Sequence, residues 1–428
     1  MTLLIRNGHL LDPSRQLDGT GWIHVADGVI AGAGTGEPPA GIEPDETIDA
    51  AGMYVTPGFI DLHVHLREPG QESKETIESG SRAAVAGGFS TIVCMPNTIP
   101  PIHNVSTVKF IYLEANRVDM ANILPAGTIS KGRDGRELAE VGELVSAGVV
   151  AITDDGSPVM DTSLMKCALD YSRMFDIPVM EHCEDLNLST AGVMNEGFYS
   201  TKLGLRGMPS AAEDVMIARN IILAEYTGGR IHIQHLSTAG GVRMIRNAKA
   251  RGVNVTCEVT PHHLVLTEAA LCEYDTNYKM NPPLRSEEDR AVLVEGLADG
   301  TIDTIATDHA PHTLTDKDVE FDFAPNGVIG MESALPAVYT GLVKEGSLPL
   351  ARMVEALTSA PASIIGCTEK GILAEGADAD ITIWDAEEQF TIDSRTFKSK
   401  ARNCPFNGWD AYGLVHYTIV GGRVKYRM

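Results

Sequence analysis

The sequence predicts an α/β protein built on a TIM-like (β/α)8 barrel, with a small β-sandwich formed by both chain termini. Three observations predict it. Short β-branched runs alternate eight times with amphipathic segments through the middle of the chain, the pattern of parallel strands joined by crossover helices. Both ends carry short strand-like runs with Gly-containing turns. Histidines and carboxylates collect just after the predicted strands, where a parallel barrel gathers its loops on one face.

At the amino end, residues 3–6, 22–25 and 29–31 read as strands, with Asn7-Gly8 and Asp27-Gly28 as turns. The barrel strands follow at 54–62, 89–95, 123–129, 149–153, 177–181, 231–235, 253–259 and 302–307. Amphipathic stretches such as 74–86, 136–147, 163–175 and 213–226 supply helices between them. The tail adds strands at 381–384, 413–420 and 423–426, with a turn at Gly421-Gly422. Neither end alone can bury a core, so the two are expected to combine. The implied organisation is 1–55 for the first part of the sandwich, 56–365 for the barrel and 366–428 for the second part. A doubly wound open sheet would alternate similarly, but its Gly-rich dinucleotide fingerprint is absent after the first strand.

Composition narrows the function. At 428 residues the chain suits one large domain plus a smaller one, and 43% hydrophobic residues are ordinary for a globular protein. A formal charge of −24 argues against nucleic-acid or anionic-membrane partners. No secretion signal or transmembrane-length run is visible. Seven cysteines without a CxxC pair fit reduced thiols, and a cytoplasmic location is expected.

The run at 54–62 leads into His63-Val64-His65-Leu66-Arg67. Side chains at i and i+2 of an extended chain point the same way, so two imidazoles and a guanidinium share one face. Asp154-Asp155 follows the fourth strand, Glu181-His182 ends the fifth, His235 the sixth and Thr307-Asp308-His309 the eighth. In a barrel these positions meet around the axis. Packing does not explain so many convergent polar groups, because each needs a partner once desolvated. Four histidines and two aspartates exceed the needs of one tetrahedral zinc ion and suit two metals with a bridging ligand. Such a pair can activate water near neutral pH and polarise a carbonyl, so the reaction class is metal-assisted hydrolysis. Strand parity sends Asp154 and Asp155 to opposite faces, so only one of them can reach the metals.

These residues sit in motifs that resemble the amidohydrolase superfamily and, within it, the class I dihydroorotases. The motifs are Pro57-Gly58-Phe59-Ile60-Asp61-Leu62-His63-Val64-His65-Leu66-Arg67-Glu68-Pro69-Gly70, Met95-Pro96-Asn97-Thr98, Asp154-Asp155-Gly156, Glu181-His182, His235-Leu236-Ser237-Thr238, Glu258-Val259-Thr260-Pro261-His262-His263-Leu264, Asn281-Pro282-Pro283-Leu284-Arg285 and Thr307-Asp308-His309-Ala310-Pro311-His312. They run in order through the whole barrel.

The resemblance implies reversible hydrolysis of (S)-dihydroorotate to N-carbamoyl-L-aspartate in de novo pyrimidine (UMP) synthesis, with two Zn2+ per subunit. It assigns His63 and His65 to one metal, His182 and His235 to the other, Asp155 to the bridge, and Asp308 to the first metal and to proton transfer. Asp154 would then be satisfied by local amides. For the substrate it implies His65, Arg67, Asn97, Asn281, His312, Asn326 and Gly327. Asn326 stands where the family usually has an aromatic residue, and Thr315-Asp316-Lys317 departs from a more acidic family stretch. Both lie in a loop at 309–330, long enough to be expected to act as a lid. A homodimer and association with an aspartate transcarbamoylase are further implications.

Other polar residues receive plainer expectations. His232, three positions before His235, is expected to point off the rim into core or helix contact. His262 and His263 carry no assigned role, Cys183 is expected to pack, His103 to lie at the surface, and Asp378 and Asp380 to form turns. Two other readings remain: a hydantoinase or allantoinase-type cyclic amidase, and a noncatalytic partner of a transcarbamoylase. The aspartate in place of a bridging lysine and the Arg67–Asn97 pair speak against the first. Retention of all six donors speaks against the second.

Overall fold

The computed structural model describes residues 2–428. Its centre is a barrel of eight parallel strands hydrogen-bonded in chain order. They are β1 (Phe59–Val64), β2 (Phe89–Cys94), β3 (Asn122–Gly127), β4 (Ala151–Ile152), β5 (Val179–Glu181), β6 (Ile231–Ile233), β7 (Val255–Val259) and β8 (Thr304–Ile305). The ring closes where Val64 bridges His309 and the amide of His65 donates to the His309 carbonyl at 2.9 Å. Every residue of β1 and β2 is buried, as expected when helices cover the outside and side chains fill the inside. Ile60, Leu62, Val93, Ala126, Ala151 and Met180 form one axial cluster, plugged by Ala362 and Ile364 of the helix Ser359–Ile364.

The predicted helices are present, with changed ends. The stretch 163–175 forms the helix Thr162–Ser172 and a final 3-10 turn, and 213–226 lies inside Ala211–Thr227. The stretch 136–147 shrinks to Val141–Ser146, because Ser130 and Leu138 form a bridge that holds the preceding chain extended.

One predicted strand divides. The run at 54–62 is two strands in two sheets: Tyr54–Pro57 in the terminal sheet and β1 in the barrel. Gly58 marks the crossing. Its amide donates to the Asp380 carbonyl at 2.8 Å, and a Cβ there would overlap Ser90.

The terminal strands from both ends of the chain combine, as expected, in one eight-stranded sheet separate from the barrel. Thr2–Asp12 is its pivot. It pairs antiparallel with Leu17–Ala26 on one side, and on the other with Glu46–Asp49 along its first half and Tyr54–Pro57 further on. The path continues through Ile381–Asp385 and Leu414–Val420 to Arg423–Arg427. Ile23 and Ile30 from one end of this path share an apolar cluster with Ile383 and Ile419 from the other, so the sheet folds over a single core. Asp380 is more than a turn residue. It is buried, accepts from Asn122 at 2.9 Å, and with Asp378 pairs Lys370.

Candidate active site

The site lies at the carboxyl ends of the barrel strands. A register shift between Asp61 and Val64 puts one extra residue into β1. It lets Leu62 fill the axial cluster while the next residue, His63, reaches the rim. Arg67, His235 and Asp308 have φ of 63°, 31° and 45°, left-handed values that carry strain in residues with a Cβ. At these three positions the chain leaves its strand direction, and parity no longer says where a side chain points.

The six sequence-predicted metal donors come together. His63 Nε2 lies 3.3 Å from Asp155 Oδ1 and 3.5 Å from Asp308 Oδ1. His65 Nε2 lies 2.9 Å from Asp308 Oδ1 and 3.4 Å from Asp155 Oδ2. On the far side of Asp155, His182 Nδ1 and His235 Nε2 stand 4.0 Å and 3.9 Å from Oδ1 and 2.8 Å from each other. Asp155 therefore stands between two histidine pairs. Asp154 turns away, accepting the amides of Ile129 at 2.9 Å and Ser130 at 3.1 Å and the Ser130 hydroxyl.

The donor chemistry fits divalent metals. His63 Nε2 is buried and has no hydrogen-bond partner. His182 Nδ1 and His235 Nε2 face each other 2.8 Å apart, and His63, Asp155 and His235 on one side and His63, His65 and Asp308 on the other each bring their ligand atoms within 4.8 Å of one another. Burial and the neighbouring His182 and His63 rings hold His235 down at about 3, so it stays a neutral donor. Burial would raise Asp155 and Asp308, but the surrounding histidines, His63 first, outweigh it and keep both below the usual carboxylate range.

Outer contacts fix the rings. His63 Nδ1 donates to Glu258 Oε1 at 2.6 Å, and His65 Nδ1 donates to Asn97 Oδ1 at 2.9 Å. Glu258 also accepts the His235 amide at 3.2 Å and His232 Nε2 at 3.1 Å. Burial alone would raise Glu258, yet His63 and His232 bring it down to about 2. His232 is off the rim and buried in core contact, as expected, with Thr256 and Glu258 as its partners. Glu258 carried no assigned role in the sequence, although an acid near the end of the one late strand without a predicted ligand was a usable signal.

A cavity of about 220 Å3 opens beside the histidines and is lined by every predicted site residue except His63, which lies beneath it. Arg67 is buried, its Nε donating to the Pro311 carbonyl at 3.2 Å, and burial lowers it to about 10, still charged at neutral pH. His312 donates from Nε2 to the Asn326 carbonyl at 2.8 Å. Burial, then the nearby charges of Arg67 and Lys317, push it down to about 3.

The loop at 309–330 is clamped along its middle. Lys317 donates to the carbonyls of Thr276, Lys279 and Pro325, and Lys279 donates to those of Phe321 and Asp322. Lys317, where the sequence departs from the family stretch, is an anchor of this loop. Among the remaining histidines, His263 bridges Thr260 and the Pro282 carbonyl, and His103 accepts the Gly132 amide. Cys183 is buried against Asn220.

A parallel barrel with this rim and a terminal sheet defines an amidohydrolase, and a family profile described as Amidohydrolase family matches residues 297–426. A second profile, described as Dihydro-orotase-like, matches residues 52–240. A curated dihydroorotase of Pelobacter propionicus is 51% identical over 428 residues, covering 100% of both chains. One from Pelotomaculum thermopropionicum is 52% identical over 424 residues, covering 99% of this chain and 98% of its own. The chain belongs to the dihydroorotase family. Among solved structures it is similar to the L-hydantoinase of Arthrobacter aurescens, with a TM-score of 0.88 at 26% identity, covering 99% of this chain and 95% of that one.

Proposed function

We propose that the protein catalyses the reversible hydrolysis of (S)-dihydroorotate to N-carbamoyl-L-aspartate, the ring-closing step of pyrimidine synthesis read in reverse, with two zinc ions. The observation that carries this reading is a small polar cavity holding a buried arginine at one side and the Asp155–histidine cluster at the other. His63, His65 and Asp308 would hold one ion, His182 and His235 the other, with Asp155 between them. Bound there, the two ions supply an activated water and polarise the ring carbonyl.

The chain's own groups do the rest. Arg67 offers two parallel N–H donors to the substrate carboxylate, supported by the Asn97 amide, with His312 lining the same cavity. Asn281 and the backbone beside Asn326 and Gly327 hold the ring. Asp308, kept ionised by the histidines, accepts the proton released in the attack and returns it to the departing ring nitrogen. In the ring-closing direction the same carboxylate removes the proton from the carbamoyl nitrogen.

Side-by-side assays of the zinc-loaded protein with dihydroorotate, hydantoin and allantoin test the substrate. Turnover of hydantoin or allantoin without dihydroorotate turnover overturns the assignment. Asp308→Asn is expected to keep its metals and lose at least about a hundredfold in kcat, the scale of a general acid–base contribution. Near-normal turnover would remove Asp308 from the chemistry.

The same reading takes the protein as a cytoplasmic homodimer. Val215, Ile222 and Tyr226 support it, lying 48%, 64% and 76% exposed along the helix Ala211–Thr227 and offering an apolar stripe to a second copy. Among the described residues no helix is long and apolar enough to cross a membrane. Sedimentation of the wild type against Ile222→Asp tests the stripe.

A further inference from the structure

Glu184 lies two residues past His182, on no strand, and has no part in the chemistry above. Its side chain is 12% exposed, and a single oxygen, Oε2, serves two groups at once. His182 Nε2 approaches it to 2.9 Å, and Asn281 Nδ2 approaches it to 2.8 Å. Both contacts fix an orientation. A carboxylate only accepts, so His182 must carry its proton on Nε2. Nδ1, the nitrogen that faces His235 and Asp155, is then left with a bare lone pair. By the same logic Asn281 must give its amino group to Glu184. Its carbonyl oxygen then becomes the free end of an amide that lines the substrate cavity. Among the described residues no protein group hydrogen-bonds to that oxygen.

We infer that Glu184 is a positioning residue with two clients, setting His182 as an Nδ1 metal donor and presenting Asn281 as a pure acceptor for a ring N–H of the cyclic substrate. An unanchored asparagine can turn either end toward a ligand, whereas an anchored one discriminates. A site built to accept a substrate N–H rejects an analogue that lacks it, because the buried acceptor is left without a partner. Glu184 therefore links metal binding at one histidine pair to recognition of the cyclic substrate. The inference rests on the reading of this cavity as a cyclic-amide site.

Three measurements on the full-length protein separate the two clients. Zinc titration against a chelator needs no substrate, so it stands even if the substrate assignment fails. Glu184→Ala is expected to weaken one of the two zinc equivalents by about tenfold or more, the scale of losing a partner behind a metal histidine. With zinc saturating, the same variant should raise KM for dihydroorotate by about tenfold, the effect of losing one oriented hydrogen bond of about 1.4 kcal/mol. In an Asn281→Ala background the KM effect should vanish while the zinc effect persists. Glu184→Gln, which keeps an acceptor oxygen, should restore most of both. Unchanged zinc affinity, unchanged KM, or a KM effect that adds to that of Asn281→Ala each overturns the proposal. Should Glu184→Ala fail to fold, 15N spectra of the metal-free wild type decide the matter. The Nε2–H tautomer at His182 is expected, and the Nδ1–H tautomer overturns it.

Discussion

Glu258→Gln tests how far the metal histidines depend on the carboxylate behind them. Glu258 is fully buried, and its two oxygens take three donors: His63 Nδ1 at 2.6 Å, the His235 amide at 3.2 Å and His232 Nε2 at 3.1 Å. Glutamine has the same shape. Its oxygen can keep His63 and the His235 amide, while its amino group faces a His232 that changes tautomer and donates to Thr256 instead. The fold should therefore survive, and what disappears is the charge. A hydrogen bond to a charged group is worth about 1.5–3 kcal/mol net against about 1 for a neutral one. The loss at His63 is then roughly 0.5–2 kcal/mol, or about twofold to thirtyfold in affinity for a metal held by that ring. Zinc or cobalt titration against a chelator at neutral pH reads this directly, with thermal melting of the metal-free protein as the control for folding. A folded Glu258→Gln variant with the metal affinity of the wild type would refute the reasoning, since even about 0.5 kcal/mol gives about twofold.

Other consequences follow from buried charge. Arg285 and Glu213 are both buried and 3.3 Å apart, with Arg285 also donating to Ser237, Asn195 and the Met208 carbonyl. Arg285→Met strands the carboxylate and should cost about 3–5 kcal/mol in urea unfolding, most of it regained when Glu213→Leu is added. A single variant as stable as wild type would contradict this. Burial raises Glu332 to about 7, above the 4.5 of an exposed glutamate, so between those values the native state holds a proton that the unfolded chain has released. Stability should therefore fall as pH rises from 4.5 to about 7, by at most about 3 kcal/mol. Glu332→Gln should flatten that slope, and identical pH profiles for the two proteins would exclude the effect. Chelation should lower the melting temperature reversibly, because saturating zinc at about a thousand times its Kd adds about 4 kcal/mol to the folded state. No shift on chelation would argue against any tightly held metal.

The barrel was legible because its strands alternate with helices at a spacing local chemistry enforces, even where β4 and β8 shrink to two residues each. The six donors were legible from their places at strand ends. What the sequence hid has a common cause: departures from regular backbone. The extra residue in β1 and the left-handed residues at Arg67, His235 and Asp308 each reset the parity that strand reasoning relies on. Arg67 reaches the cavity, but by a turn and not along an extended face. Gly58 concealed a change of sheet inside one continuous apolar run, and Glu46–Asp49 is too short and polar to announce a strand. Glu258 and Glu184 escaped notice because an acid that supports a ligand has no spacing rule of its own.

The shared sheet has a consequence for how the chain acquires its shape. Tyr54–Pro57 leads directly into the strand that carries His63, yet its far-side partner is Ile381–Asp385, and the Thr56 hydroxyl meets the Thr382 carbonyl across 326 residues. During synthesis the barrel's opening strand must wait beside an unfilled edge until nearly the whole polypeptide has emerged. Late contacts of such long range slow assembly and leave a sticky ribbon exposed meanwhile. Chaperone dependence and refolding yield should accordingly track the integrity of the last strands more closely than that of the catalytic rim.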